Sequence, residues 1–373
     1  WTREEALSLA ELHLEQRSQW TDTADISLGP QRLDRIAAHA PCSNPLHLRY
    51  LVDELCREHQ ASKINPRDLQ VGCELEWQLL FRANDVWALL DYVLSRWEEK
   101  FDTRRCPQLV RRVCSLLWGS CWGLSEYELL CLLPDVPRIV LMNFLESTKF
   151  TWVRYNGYIL IGHSAMRDAI QRRFLPGPHE QRDVHRRLGG FWKSLPPSRR
   201  KLEEEIYHWR RSEQWANLMG VCSDMEKFPL LFEEDEAGTL HCDLRRCVRD
   251  ADKHIDAYKM LLEGLKRYER RKENEANVGR IGVLLAKFFG EMGRNKEATE
   301  MYETILNQPV AVLHGSIETK HQVAELRILY GEILLRTWKE AKPGSAERSF
   351  ILVNKAQDQF MSAFEALKEL LVL

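Results

Sequence analysis

The residue best placed for chemistry is His163, which stands where a predicted β-hairpin runs into a helix, Phe150-Thr-Trp-Val-Arg-Tyr155-Asn156-Gly157-Tyr-Ile-Leu-Ile-Gly162-His163-Ser164-Ala-Met-Arg167. An imidazole there can exchange a proton near neutral pH or donate an N–H to an anion. No base, acid, nucleophile or metal partner stands beside it. The twelve histidines are scattered without metal-ligand spacing, and the ten cysteines include no Cys-x-x-Cys pair for zinc or redox work. Gly-x-Ser-x-Gly, His-Glu-x-x-His and Gly-x-Gly-x-x-Gly are absent. So is Gly-x-x-x-x-Gly-Lys-Ser/Thr, so no loop is built to cradle phosphates and no Lys or hydroxyl is set for a γ-phosphate and its Mg²⁺. The sequence predicts a segment with no enzymatic activity of its own.

The elements around His163 read clearly. Asn156-Gly157 between two β-rich runs predicts a two-residue type I′ turn, whose central positions both need positive φ. Gly162 allows a sharp bend, and Ser164 is expected to cap the following helix. Upstream, Pro107 opens a helix through Val110, Val113, Leu116 and Leu117 that ends at Gly119-Ser-Cys-Trp-Gly123. Ser125 with Glu128 is a capping box for a short helix stopped by Pro134, and a further helix covers Arg138 to Ser147. Three short helices followed by a two-stranded wing spell a winged-helix domain over residues 101–178.

Residues 1–100 read as all-helical. Ala6, Leu9, Ala10 and Leu14 recur at helical spacing, the run Ile26-Ser27-Leu28-Gly29-Pro30 interrupts, and a helix of about 31–40 follows. Asn44 then has N-cap chemistry and Pro45 suits the first helical position, with Leu48, Leu51, Val52 and Leu55 facing inward. Trp87 to Phe101 closes this part. Between 160 and 211 stand twelve Lys or Arg against six Asp or Glu. The acidic run Glu203-Glu204-Glu205 within that stretch argues for a solvated helix surface rather than a nucleic-acid track. Residues 179–238 are read as a helical connector ending in a linker at 232–238.

Beyond 239 the chain is helical throughout. In Leu285-Ala286-Lys-Phe-Phe289-Gly-Glu-Met-Gly293-Arg-Asn-Lys-Glu-Ala298-Thr-Glu-Met-Tyr302, small residues fall where two antiparallel helices cross, Gly293 in the turn and aromatics at the sides. That is the tetratricopeptide pattern. Ala356, Phe360 and Ala363 repeat its second half, and Ala257, Leu261 and Gly264 do so weakly, at irregular spacing. The fold class expected is thus mainly α: a helical domain, a winged helix with one β-hairpin, and an irregular tetratricopeptide-like solenoid over 239–373.

With 373 residues the chain has material for two or three domains, and a net charge of −2 gives no global pull toward nucleic acid or anionic lipid. It opens on Trp1 in mid-pattern and is expected to be a segment of a longer protein. No apolar run reaches the roughly 20 residues of a membrane span. Scattered cysteines at apolar positions suggest reduced, buried thiols and a cytoplasmic location. The twelve tryptophans, Trp118, Trp122, Trp152 and Trp192 among them, are expected to fill cores and interfaces.

The order of these features resembles the C-terminal part of STAND-class P-loop NTPases of the NACHT type that carry tetratricopeptide repeats, the nephrocystin-3-like proteins. The resemblance rests on Asn44-Pro45-Leu46-His-Leu48, Gly123-Leu124-Ser125-Glu-Tyr-Glu128, Ile161-Gly-His163-Ser164-Ala-Met-Arg167, and Tyr207-His208 followed by Gln214-Trp215. It covers nearly the whole chain and makes 1–100 the helical lid. It implies that Pro45 lies against the adenine of bound ADP and that His163 reaches the β-phosphate, the P-loop domain lying upstream. Here Gly162-His163-Ser164 replaces the family's Met-His-Asp. Each residue also has a plainer reading: His163 as an exposed histidine at a helix start, Pro45 as ordinary helix-start grammar.

Two functions follow. One is a regulatory and scaffolding segment that closes on ADP and gathers protein partners through its repeats. The other is a helical-repeat adaptor in which nucleotide plays no part. A DNA-reading role is disfavoured because the helix Arg138–Ser147 offers only Arg138 and Asn143 to base edges.

Overall fold

The structure, a computed structural model, describes residues 2–20, 30–64, 78–232, 239–271, 275–307, 317–341 and 350–371. It is mainly α-helical with one small three-stranded sheet among the described residues. Two compact units divide it, Trp1–Leu195 and Pro196–Leu373. The interruption expected at 26–30 falls largely outside the described residues, as does the linker expected at 232–238.

The first unit begins with helices α1 (Arg3–Trp20), α2 (Pro30–Ala38), α3 (Pro45–Ile64) and α4 (Val86–Phe101). Ala6, Ala10 and Leu14 on α1 and Leu48, Leu51, Val52 and Leu55 on α3 are buried, the inward stripes that the spacing predicts. Asn44 caps α3: its Oδ1 accepts from the Leu46 amide at 2.9 Å, and Pro45 takes the first helical position.

Next come α5 (Leu109–Gly119), β1 (Leu124–Ser125), α6 (Glu126–Leu132), α7 (Arg138–Ser147), β2 (Trp152–Tyr155), β3 (Tyr158–Ile161), α8 (Ser164–Phe174) and α9 (Pro178–Ser194). The sheet order is β1-β3-β2, all antiparallel, with Tyr155 opposite Tyr158. That register leaves Asn156 and Gly157 as a two-residue turn, at φ 48° and 80°. The hairpin therefore forms as its turn dipeptide predicts. The capping box is present, Ser125 accepting from Glu128 N at 3.2 Å and Glu128 accepting from Ser125 N at 2.8 Å.

One continuous core joins these elements. Trp97 on α4 meets Phe144 on α7 edge-on at 5.8 Å and Trp152 on β2 at 5.7 Å. Trp152 donates its indole N–H to Thr148 at 2.8 Å, so the buried ring keeps a polar partner. The helix α9, read from the sequence as the start of a connector, contributes Leu188 and Trp192 to this core. Trp118 is also buried, whereas Trp122 lies 55 % exposed on the surface.

The second unit contains α10 (Arg199–Arg211), α11 (Trp215–Cys222), α12 (Phe228–Phe232), α13 (Thr239–Asp252), α14 (Ala257–Glu269), α15 (Glu275–Glu291), α16 (Asn295–Leu306), α17 (Ile317–Glu340) and α18 (Phe350–Leu371). Helices α15 and α16 form the expected close pair: Ala286, Phe289, Ala298 and Tyr302 are all buried, and Gly293 makes the turn at φ 75°. Helices α17 and α18 pair in the same manner, with Ala356 and Ala363 buried. A Cβ added at Gly331 would stand 2.8 Å from the Phe360 ring, so that ring packs directly on the backbone of α17 at residue 331 and would have to shift if a side chain stood there.

Candidate functional site

His163 lies exposed at the junction of β3 and α8. Its backbone is extended (φ −147°, ψ 141°), which makes it, rather than Ser164, the N-cap of α8. The ring does the capping, Nδ1 accepting from the Ala165 amide at 3.2 Å. An Nδ1 that accepts places the proton of a neutral imidazole on Nε2. The remaining nitrogen is then an N–H donor on a helix start, where the macrodipole also favours an anion. Gly162 before it is packed tightly, since an added Cβ would stand 3.0 Å from Val153 and 3.3 Å from the Thr151 carbonyl.

Pro45 presents an exposed ring at the start of α3. One turn on, Arg49 donates to the Phe150 carbonyl at 3.1 Å, tying α3 to the chain just before β2. Pro45 and His163 thus belong to elements of the same unit, each held by its own cap. Both side chains are exposed, and neither is fixed in a binding role by its fold contacts.

Below Pro45 lies a pair of imidazoles that the sequence reading missed. His47 is fully buried, its ring 5.6 Å from that of His39, which in turn meets Phe81 edge-on at 5.0 Å. Burial pulls the His47 pKa down to about 4, His39 adding to the fall while the Asp85 backbone and carboxylate oppose it. The signal was available: His47, Leu51 and Leu55 share one helical stripe.

The basic stretch is largely engaged within the fold. Arg173 binds Glu98 at 2.6 Å and Asp91 at 2.7 Å, clamping α8 to α4, and Arg172 lies 4.2 Å over the Trp87 ring. Arg187 donates to the Leu132 carbonyl, and Arg186 and Arg199 pair with Asp183 and Glu203. The acidic run departs from the solvated surface expected of it. Glu204 and Glu205 are buried, Glu204 lying 3.1 Å from the buried His208 and Glu205 accepting the Trp209 indole N–H at 3.3 Å. Six of the eight described cysteines are buried, and Cys121 and Cys131 are exposed. No group of three potential metal ligands occurs among the described residues, and no described helix is long and apolar enough to cross a membrane.

The chain is similar to a TPR repeat-containing protein of Dictyostelium discoideum, 22% identical over 235 residues that make up 62% of this chain and 13% of the relative. It therefore spans a small part of that relative's length. No protein-family model matches the chain. No solved structure matches it significantly. The likeness to a repeat-containing protein agrees with the close helix pairs of the second unit.

Proposed function

We propose that this chain is the regulatory and protein-interaction segment of a STAND-class NTPase, its helical repeats binding protein partners. The observation that carries the interaction role is the α15–α16 pair, whose small residues and turn glycine give the close crossing of a tetratricopeptide unit. Such units expose extended faces for partner helices or peptides. A protein relative that contains the same repeat type supports it.

The nucleotide-dependent part of the reading is supported by the order helix, strand, two helices and hairpin in the first unit, the order expected of a winged helix. In this reading 1–100 is the lid and 101–178 the winged helix. His163 would donate a hydrogen bond from its Nε2–H to a phosphate oxygen of ADP, and Pro45 would lay its ring on the base, while a P-loop domain upstream holds the nucleotide. The bound nucleotide supplies the γ-phosphate whose presence or loss distinguishes the two states. Because Trp97, Phe144 and Trp152 share one core, lid and winged helix would move as one body.

The adaptor reading, in which nucleotide plays no part, is separated by one experiment. Sedimentation of the full-length protein in ADP and in ATP should give different assembly states if the segment is a switch. The same mass in both nucleotides would leave the adaptor.

A further inference from the structure

The turn between α15 and α16 and the last turn of α17 enclose a cleft of about 360 Å³, lined by Arg294, Asn295, Glu297, Thr337 and Glu340 among others. Asn295 is only 7 % exposed. Its Nδ2 donates to Glu340 Oε2 at 2.8 Å, and a carboxylate can only accept, so the amide orientation is set and Oδ1 is the free end. That oxygen is buried with no hydrogen-bond partner. A buried acceptor left unmade is costly, and such a group calls for an explanation.

The groups around it decide the sign of the ligand. Glu340 offers a carboxylate at the C-terminal end of α17, where the helix dipole is negative. Arg294, one competing positive charge of the lining, is bound to Glu297, and Thr337 spends its hydroxyl proton on the Ile333 carbonyl. Lys296 also lines the cleft and is itself partnered. The two cations of the lining are thus already engaged elsewhere, while Asn295 Oδ1 is left without a donor.

We propose that this cleft binds a primary ammonium or guanidinium group, which donates to Asn295 Oδ1 and Glu340 together. The chemistry is shared by a basic side chain of a polypeptide and by a free polyamine. The site stands on its own residues and does not depend on the nucleotide reading.

The test is a calorimetric titration of the whole chain with N-acetyl-arginine methylamide and with spermidine, alongside the anionic control N-acetyl-aspartate methylamide. The expected result is binding of a cationic probe, weakened about tenfold or more in Glu340→Gln, as loss of a charged hydrogen bond implies. Glu340 is exposed, so that variant keeps the fold. Asn295→Asp, which adds a second carboxylate, should tighten the same probe. Stronger binding of the arginine amide assigns the site to a polypeptide, and stronger binding of spermidine to a free amine. Binding of neither cation, equal binding by Glu340→Gln, or preference for the anion would each overturn the proposal.

Discussion

Trp97 and Phe144 meet edge-on at 5.8 Å, and that contact joins the helix ending at Phe101 to the elements around the hairpin. Two stretches that the sequence separates into domains at residue 100 are thereby parts of one core. Replacing Trp97 by Ala removes a fully buried ring and leaves a cavity, with an expected loss of about 3–5 kcal/mol. Hydrogen exchange should show α3, α4, α7 and α8 opening together in this variant. Protection lost in α3 and α4 alone would mean that two cores exist.

The buried His47, its ring against the half-buried His39, predicts acid sensitivity of the first unit. The folded His47 pKa, about 4, lies below its ordinary 6.5, so the unfolded chain binds the proton more readily. Its contribution is full above about pH 6.5 and is lost as pH falls through about 4, to a maximum of about 3 kcal/mol. Denaturation midpoints between pH 7 and pH 4 should therefore fall more steeply for the natural chain than for His47→Leu. Parallel profiles would remove His47 as the cause.

A weak repeat in the sequence, Ala257, Leu261 and Gly264, turns out to be a tight crossing. A Cβ on Gly264 would stand inside contact distance of the Ser223 carbonyl oxygen, and backbone cannot rotate away as a side chain can. Gly264→Ala should destabilise the second unit by about 1–3 kcal/mol, measured by urea unfolding. A neutral effect would show that α14 and the end of α11 lie further apart.

What the sequence revealed were the features decided within a few residues. Asn156-Gly157 sets its hairpin, Ser125 with Glu128 its capping box, and Gly293 between Ala286 and Ala298 its helix pair, because turn geometry and capping are local. Features decided by distant neighbours were not legible. Glu204 and Glu205 read as a solvated run, yet they lie on the face of α10 that the unit covers, and only the packing of other helices selects that face. The cap of α8 shifted by one residue, since both His163 and Ser164 can accept an amide and only the observed backbone angles choose between them. The position of His163 was legible from the strand-to-helix transition; that its Nδ1 is taken up by the Ala165 amide was not.

Whether His163 senses a nucleotide is decided by His163→Asn. Asparagine is a strong N-cap, so it can replace Nδ1 toward the Ala165 amide while removing the Nε2 donor and the ring. The measurement is the rate at which full-length protein releases a fluorescent ADP analogue, with thermal stability followed in parallel. The expected result is release about tenfold faster or more, with the melting temperature unchanged. An unchanged release rate in a stable variant would contradict it.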